Sequence, residues 1–248
     1  MLAIIGGSGL TQLANLEVTG RQGVRTPWGE PSAALTFGRI GGQAVIFLAR
    51  HGDGHTLPPH RVNYRANLWA LREQGVTHVV SVASVGGIRP DLTPGALALP
   101  HQIIDYTWGR ESTFFEGDER GVVHADFTHP YCQSLRERCL EAAQRAAEPL
   151  IEGGVYACSQ GPRLETAAEI DRMERDGADM VGMTGMPEAA LAREIDLCYA
   201  TVAVVANYAA GRAGSSQGIR MDEINATLDA ALAKVRRVIE QLAKSYAR

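Results

Sequence analysis

The chain has 248 residues, 45% of them hydrophobic and 21% charged, with a formal net charge of −4. That composition excludes a disordered or fibrous protein, and the length suits one large α/β domain or two small ones. A general nucleic-acid binder would carry a basic excess, which is missing here.

No run approaches the roughly 18 apolar residues of a membrane span. The opening M-L-A-I-I-G-G-S-G lacks the basic stretch and long apolar core of a signal peptide. A cytoplasmic protein is expected. Cys132, Cys139, Cys158 and Cys198 form no C-x-x-C and no zinc spacing, so reduced, partly buried thiols are expected.

Residues 2–5 read as a short apolar strand, followed at once by Gly6-Gly7-Ser8-Gly9. Glycines let backbone amides close on an anion, and the Ser8 hydroxyl adds a donor. A dinucleotide fingerprint starting at Gly7 fails at Gln12, and no Gly-Lys-Ser/Thr marks a Walker A loop. A plain tight turn is the rival reading. Residues 33–37 and 44–49 read as strands joined by a Gly41-Gly42 hairpin turn. The second delivers Arg50-His51, two donors for an oxyanion, since the guanidinium fork bonds two oxygens. His51, His55 and His60 could suggest a metal, but Pro58-Pro59 keeps the three off one helix face.

Residues 62–74 read as a helix ended by Gly75. Residues 78–83 suit a covered strand, and Ser84-Val85-Gly86-Gly87 reads as a second glycine turn. Residues 96–104 form a strand interrupted at Pro100, and 105–129 an irregular functional or interface loop. An amphipathic helix is expected over 130–147. Residues 155–157 suit a buried strand broken at Gly161-Pro162, with Glu165 just past the turn, where open α/β sheets bind ligands. A solvated glutamate, or one salt-bridged to Arg163 or Arg193, is the rival. Residues 167–177 are helical and 178–184 return to the sheet. Pro187 opens a helix over 189–197, with Glu188 near its positive end. A buried strand over 199–206 ends at Asn207-Tyr208-Ala209. The Asn207 amide can donate and accept, or it can simply form a turn. Residues 211–218 look mobile. Residues 221–246 form a long helix with Ile224, Leu228, Ala231, Leu232, Val235, Ile239 and Leu242 on one stripe. Strands and helices alternate without repeats or a linker, which predicts a single α/β domain, a central mixed β-sheet flanked by helices.

Several stretches together resemble the trimeric purine nucleoside phosphorylase and methylthioadenosine phosphorylase family. They include I-I-G-G-S-G-L, F-L-A-R-H-G, P-P-H-R-V-N-Y-R-A-N, R-E-S-T-F-F, Q-G-P-R-L-E-T and G-M-T-G-M-P-E, and they span nearly the whole chain. The resemblance implies a pentosyltransferase. Phosphate attacks the anomeric carbon of a purine nucleoside through an oxocarbenium-like transition state, a task of electrostatic positioning. It implies no metal or cofactor, inorganic phosphate as co-substrate, and a homotrimer without membrane or nucleic-acid partners. Phe114 and Phe115 are expected in an interface element.

Position by position, the resemblance implies a phosphate site at Ser8, Arg50, His51, Ala83, Ser84 and Thr184. Ala83 departs from the threonine or asparagine usual there. Met183 is implied under the ribose. Leu164, Glu165, Asn207, Tyr208 and Ala209 are implied at the base. Ile219 lies near the 5′ end, which His60 is expected to reach from a neighbouring subunit. Catalysis is expected of His51, Glu165 and Asn207.

Adenine-specific members carry aspartate-aromatic-aspartate where this chain has Asn207, Tyr208 and Ala209, and serine where it has Glu165. Hypoxanthine offers O6 as acceptor and N1–H as donor, whereas adenine offers an amino group and a bare N1. An ionised Glu165 accepts from N1–H and opposes adenine's N1. Asn207 donates to O6 and accepts from a protonated N7. A buried mismatch costs a few kcal/mol. The 6-oxopurine enzymes place a histidine near the 5′-hydroxyl, where Ile219 stands here and suits a methylthio group instead. The implied substrate is S-methyl-5′-thioinosine, giving hypoxanthine and 5-methylthioribose 1-phosphate. Inosine and guanosine, or methylthioadenosine, remain alternatives. So does a non-catalytic nucleoside-binding protein on the same fold.

Overall fold

One mixed sheet runs through the structure, a computed structural model that describes residues 1–10, 13–117 and 121–246. In chain order its first elements are β1 (Leu2–Gly6), β2 (Glu17–Gln22), β3 (Leu35–Ile40), β4 (Gln43–Ala49), α1 (Tyr64–Glu73) and β5 (His78–Gly87). Next come β6 (Leu97–Leu99), β7 (Gln102–Asp105), α2 (Gln133–Arg145), β8 (Ile151–Glu152), β9 (Val155–Cys158) and α3 (Ala167–Arg175). The last are β10 (Met180–Gly182), α4 (Gly185–Glu194), β11 (Cys198–Tyr208) and α5 (Met221–Lys244). The strand order is β2-β3-β4-β1-β5-β10-β9-β7, while β11 pairs with β5 and β6, and β6 with β8. The single α/β domain with a mixed sheet is as the sequence predicts.

Side chains of the central strands alternate between two cores, as the pleat requires. Leu2, Ile4, Val80, Val82, Ala200, Val202 and Val204 pack with α2 and the apolar stripe of α5 on one face. Ala3, Ile5, Val79, Ala203 and Val205 pack with α1 and α4 on the other. The seven α5 residues expected on one stripe are all buried.

The site is positioned by a gap in the pairing along β5. One edge of β5 pairs with β1 up to Ser81 and with β10 from Gly86 onward. Among the described residues no strand pairs with that edge between them. The other edge follows β11 along its whole length. The carboxyl ends of β1, β4, β10 and β11 therefore converge on an open stretch of β5, the position where α/β sheets bind ligands.

Ser84 to Gly87 do not form the expected turn; β5 continues through them. Gly86 and Gly87 serve close packing, because a Cβ on Gly86 would lie 3.2 Å from the Ala209 Cα and one on Gly87 would overlap the Leu92 carbonyl. β11 also runs past its expected end, to Tyr208. A register shift between Val205 and Asn207 marks a bulge that re-aims Asn207. Residues 211–218 carry a short 3₁₀ turn, Ala213–Ser215.

Phe114 packs within the chain, its ring buried against Trp28 and Trp69 with centroids 5.4 and 5.9 Å away. One further expectation changes. Cys132 and Cys198 are not free thiols but a disulfide, with Cα atoms 5.2 Å apart. The Cys132 N–H donates to the Tyr199 carbonyl at 2.8 Å, which seats the start of α2 against the start of β11. Cys139 and Cys158 are free and buried, and burial pushes both thiols up to about 12. The bridge joins residues 66 positions apart. Reducing it should cost roughly 4 kcal/mol through loop entropy. The expected fall in Tm is about 10 °C for a chain of this size. Melting Cys132→Ser without reductant should reproduce it.

Candidate active site

A cavity of about 870 Å³ opens over the unpaired stretch of β5. It brings together Ser8, Arg50, His51, Ala83, Ser84 and Thr184, the residues expected around phosphate. Leu164, Glu165, Met183, Asn207, Ala209 and Ile219, expected around the nucleoside, line the same cavity. Two expected residues do not line it. Tyr208 lies on the opposite strand face from its neighbours, as the period of two dictates. His60 sits in the turn Pro59–Arg61 with a buried, unpartnered Nδ1, while residues 55–59 of the same loop reach the cavity wall.

Arg50 is fully buried, and its charge is matched by Glu188, also fully buried. Nε donates to Glu188 Oε2 at 2.7 Å and Nη2 to Oε1 at 2.9 Å. Nη2 also donates to Ser81 Oγ at 2.5 Å, and Nη1 to the Val82 carbonyl at 3.0 Å. Tyr199 completes the shell by donating to Glu188 Oε1 at 2.8 Å. Burial works against the guanidinium charge, but Glu188 outweighs it and holds Arg50 above its ordinary range. One Nη1–H of the fork is left over. Nη1 lies against Gly7, where a Cβ would come within 2.9 Å, so glycine there lets the turn close over it. Glu188 was expected near a helix end as a dipole partner. Its proximity to Arg50, 138 positions away, gives it a different part.

His51 is 5% exposed, and its Nδ1 is 2.8 Å from the Leu57 carbonyl. Burial, then the charge of Arg50, holds its pKa down to about 4, against an ordinary 6.5. Between these values the unfolded chain binds the extra proton. Stability should therefore fall as pH drops from 6.5 to 4, with no contribution from this group above that window. The expected loss is on the order of 3 kcal/mol. It would be read as a melting temperature that declines with acid and declines less in His51→Gln.

Glu165 is held by Ser159, whose hydroxyl donates to Oε1. Ser159 is itself buried, and its N–H donates to the Gly182 carbonyl at 2.8 Å. Neither salt bridge of the rival reading forms. Arg163 forks onto Glu169 at 2.7 and 2.8 Å, and Arg193 donates to the His129 carbonyl. Glu169 in turn forms a capping box with Thr166 that starts α3 one residue past Glu165. The loop is braced from behind by Arg110, which donates to the carbonyls of Gln160, Met183 and Met186 at 2.8, 2.9 and 2.6 Å. Asn207 donates to the Tyr208 carbonyl at 2.6 Å through one amide hydrogen, leaving its oxygen and a second N–H.

The remaining wall is α5 and its approach. Ile219, Met221 and Ile224 line the cavity together with Asn225 and Asp229. Sequence reasoning named only Ile219 here. Among the described residues no group of three or more His, Cys, Asp or Glu is placed to hold a metal ion.

Anion donors at the strand ends, facing a carboxylate and an amide, equip a transferase that moves a sugar between a heterocycle and an oxyanion. The chain belongs to the phosphorylase superfamily, whose family model matches residues 1–244. It is 52% identical over 243 residues to a protein of Xanthomonas campestris pv. campestris named probable S-methyl-5′-thioinosine phosphorylase, covering 98% of this chain and 97% of that one. It is 47% identical over 218 residues to the 6-oxopurine nucleoside phosphorylase of Pyrococcus furiosus, covering 86% and 81%. The methylthioadenosine phosphorylase of Schistosoma mansoni, solved with adenine, superposes with a TM-score of 0.94 at 32% identity, covering 99% of this chain and 91% of that one. The chain is a pentosyltransferase of the purine nucleoside phosphorylase kind, as the motifs implied.

Proposed function

We propose that the protein phosphorolyses a 6-oxopurine nucleoside, with S-methyl-5′-thioinosine the best substrate and hypoxanthine and 5-methylthioribose 1-phosphate the products. The carrying observation is Glu165, fixed by Ser159 and sharing a cavity with Asn207. Glu165 accepts from N1–H of the oxo base. Asn207 bonds O6 and N7 as charge gathers on the leaving purine. Ser8, Thr184, Ser84, the spare Nη1–H of Arg50 and His51 hold phosphate beneath C1′. A phosphate oxygen bonds C1′, and the C1′–N9 pair leaves with the base. Inorganic phosphate is the co-substrate and no cofactor takes part. The relatives named for methylthioinosine and 6-oxopurine substrates support this reading.

Inosine and guanosine are the second reading, favoured by Asn225 and Asp229, polar groups in the same wall as Ile219. Release of free base from methylthioinosine, methylthioadenosine, inosine and guanosine, with and without phosphate, separates the two. Methylthioinosine should lead by about tenfold in kcat/KM, or about 1.4 kcal/mol. A lead for methylthioadenosine would overturn the base assignment. Phosphate-independent behaviour with no turnover would favour a binding protein. Ile219→His should shift preference toward inosine by about tenfold, the scale of one new hydrogen bond.

A homotrimer is part of this reading, with His60 reaching a neighbour's 5′ pocket. Its support is the apolar surface of the irregular segment, where Trp108, Val122 and Val123 are 72%, 69% and 42% exposed. No described helix is long and apolar enough to cross a membrane. A cytoplasmic location fits the enzyme class, and the disulfide is the observation that runs against it.

A further inference from the structure

We propose that His51 meets phosphate as a hydrogen-bond acceptor, so that the site selects oxyanions carrying a proton over those that carry none. The inference rests on the phosphorolysis reading for the identity of the anion and goes beyond it in saying how that anion is chosen.

The argument begins with the ring nitrogen that is already committed. Nδ1 lies 2.8 Å from the Leu57 carbonyl. A carbonyl has no hydrogen to give, so Nδ1 carries the proton and donates. Nε2 is then a bare lone pair unless the ring gains a second proton. The surroundings oppose that gain. The ring is buried, the Arg50 guanidinium is its neighbour, and the His55 ring is 4.7 Å away. Glu188 is the one nearby carboxylate that favours it, and its oxygens are occupied by Arg50 and Tyr199. Nε2 is the remaining polar atom of a side chain that lines the cavity.

The Ser8, Ser84 and Thr184 hydroxyls can donate or accept and Nη1 of Arg50 only donates, so among these groups Nε2 is the one that can only accept. A group that can only accept sorts anions by protonation, since it cannot turn a donor toward a bare oxygen. Hydrogen phosphate keeps one O–H at neutral pH, and so does hydrogen arsenate. That O–H donates to Nε2, while the unprotonated oxygens face the donors and C1′. Sulfate has no O–H, so one of its oxygens would meet Nε2 lone pair to lone pair in a buried place. The arrangement also assigns the nucleophile. The oxygen that bonds C1′ is an unprotonated, charged one, because the protonated one is held at His51. In the balanced step, hydrogen phosphate and neutral nucleoside become pentose 1-(hydrogen phosphate) and the purine anion, and the anion then takes a proton from solvent.

The test measures dissociation constants of phosphate, arsenate and sulfate by calorimetry, alongside base release with each anion. Phosphate and arsenate should bind within a few-fold of one another and both support turnover. Sulfate should bind about thirtyfold more weakly, the scale of one buried hydrogen bond replaced by a mismatch. In His51→Gln, whose amide can turn a donor toward the anion, the sulfate penalty should shrink to about threefold or less. Nitrogen NMR of the histidine-labelled wild-type enzyme gives a second readout that needs no variant. Nε2 should show the shift of a bare nitrogen, and it should move on adding phosphate but not sulfate. Sulfate binding as tightly as phosphate, or a protonated Nε2 at neutral pH, overturns the proposal. Selective phosphate binding without base release would instead sink the phosphorolysis reading and leave the selection rule standing.

Discussion

Glu188→Ala should lower stability by about 3–5 kcal/mol, because it leaves the Arg50 charge buried with no counter-charge. For a chain of this size that is roughly 10 °C in Tm. On the proposed reading Arg50 offers the anion one N–H, and the Glu188 fork sets the direction of the guanidinium, so the KM for phosphate should also rise more than the KM for nucleoside. Removing Glu188 frees the guanidinium to swing within the β5 gap. The double replacement Arg50→Met with Glu188→Leu separates the two effects. An apolar pair of similar volume can restore much of the stability of a buried ion pair. Its Tm should recover toward wild type while phosphate use falls further, because the Arg50 donor is gone. Thermal melts and the two KM values decide the matter. A Glu188→Ala protein with unchanged Tm and phosphate KM would show that the pair neither supports the fold nor presents Arg50.

The pair also shows where single-sequence reading stops. Arg50 at a strand end and Glu188 after Pro187 were each legible as local features, one as an anion donor and one as a dipole partner. What joins them is the meeting of the β4 end with α4 beneath the sheet, 138 positions apart. Ser159 under Glu165 and Arg110 behind the loop belong to the same class. Each has an ordinary local setting, and its part appears only when distant carbonyls and carboxylates arrive beside it. The Cys132–Cys198 bridge is illegible in the sequence for the same reason: pairing depends on Cα separation, and spacing in sequence says nothing of it.

Elements with a periodic apolar pattern were legible. The α5 stripe and the strands of the two cores follow from burial on one face or two. β2 carries no such signal, because all six of its residues are exposed. Ser84 to Gly87 failed in the opposite way, since the residues that favour turns also fit where two strands and the Leu92 carbonyl crowd a backbone. The family resemblance treats Asn207, Tyr208 and Ala209 as a unit. Strand alternation and the bulge at Asn207 divide it, sending Asn207 and Ala209 to the cavity and Tyr208 away.

Glu165→Ser should cut kcat/KM for methylthioinosine by about 100-fold while that for methylthioadenosine holds or rises. The loss corresponds to about 2–3 kcal/mol, the worth of one hydrogen bond to a charged group made as the base departs. Serine can accept from N1–H or donate to a bare N1, so the variant loses the basis for telling the two bases apart. The gain for adenine is limited by Asn207, which still presents an amide where an adenine site wants an acceptor for the 6-amino group. Ser159→Ala tests the same contact from behind. Oε1 of Glu165 then lacks its donor, and the carboxylate is no longer held toward the base. A rise of several-fold in nucleoside KM with phosphate KM unchanged is expected, and Ser159→Thr should restore the wild-type value. On the proposed reading both substitutions act on the base alone, so phosphate saturation is the internal control. If Glu165→Ser keeps its preference for the oxo base, the carboxylate is not what reads N1–H, and base selection falls to Asn207 and the shape of the cavity.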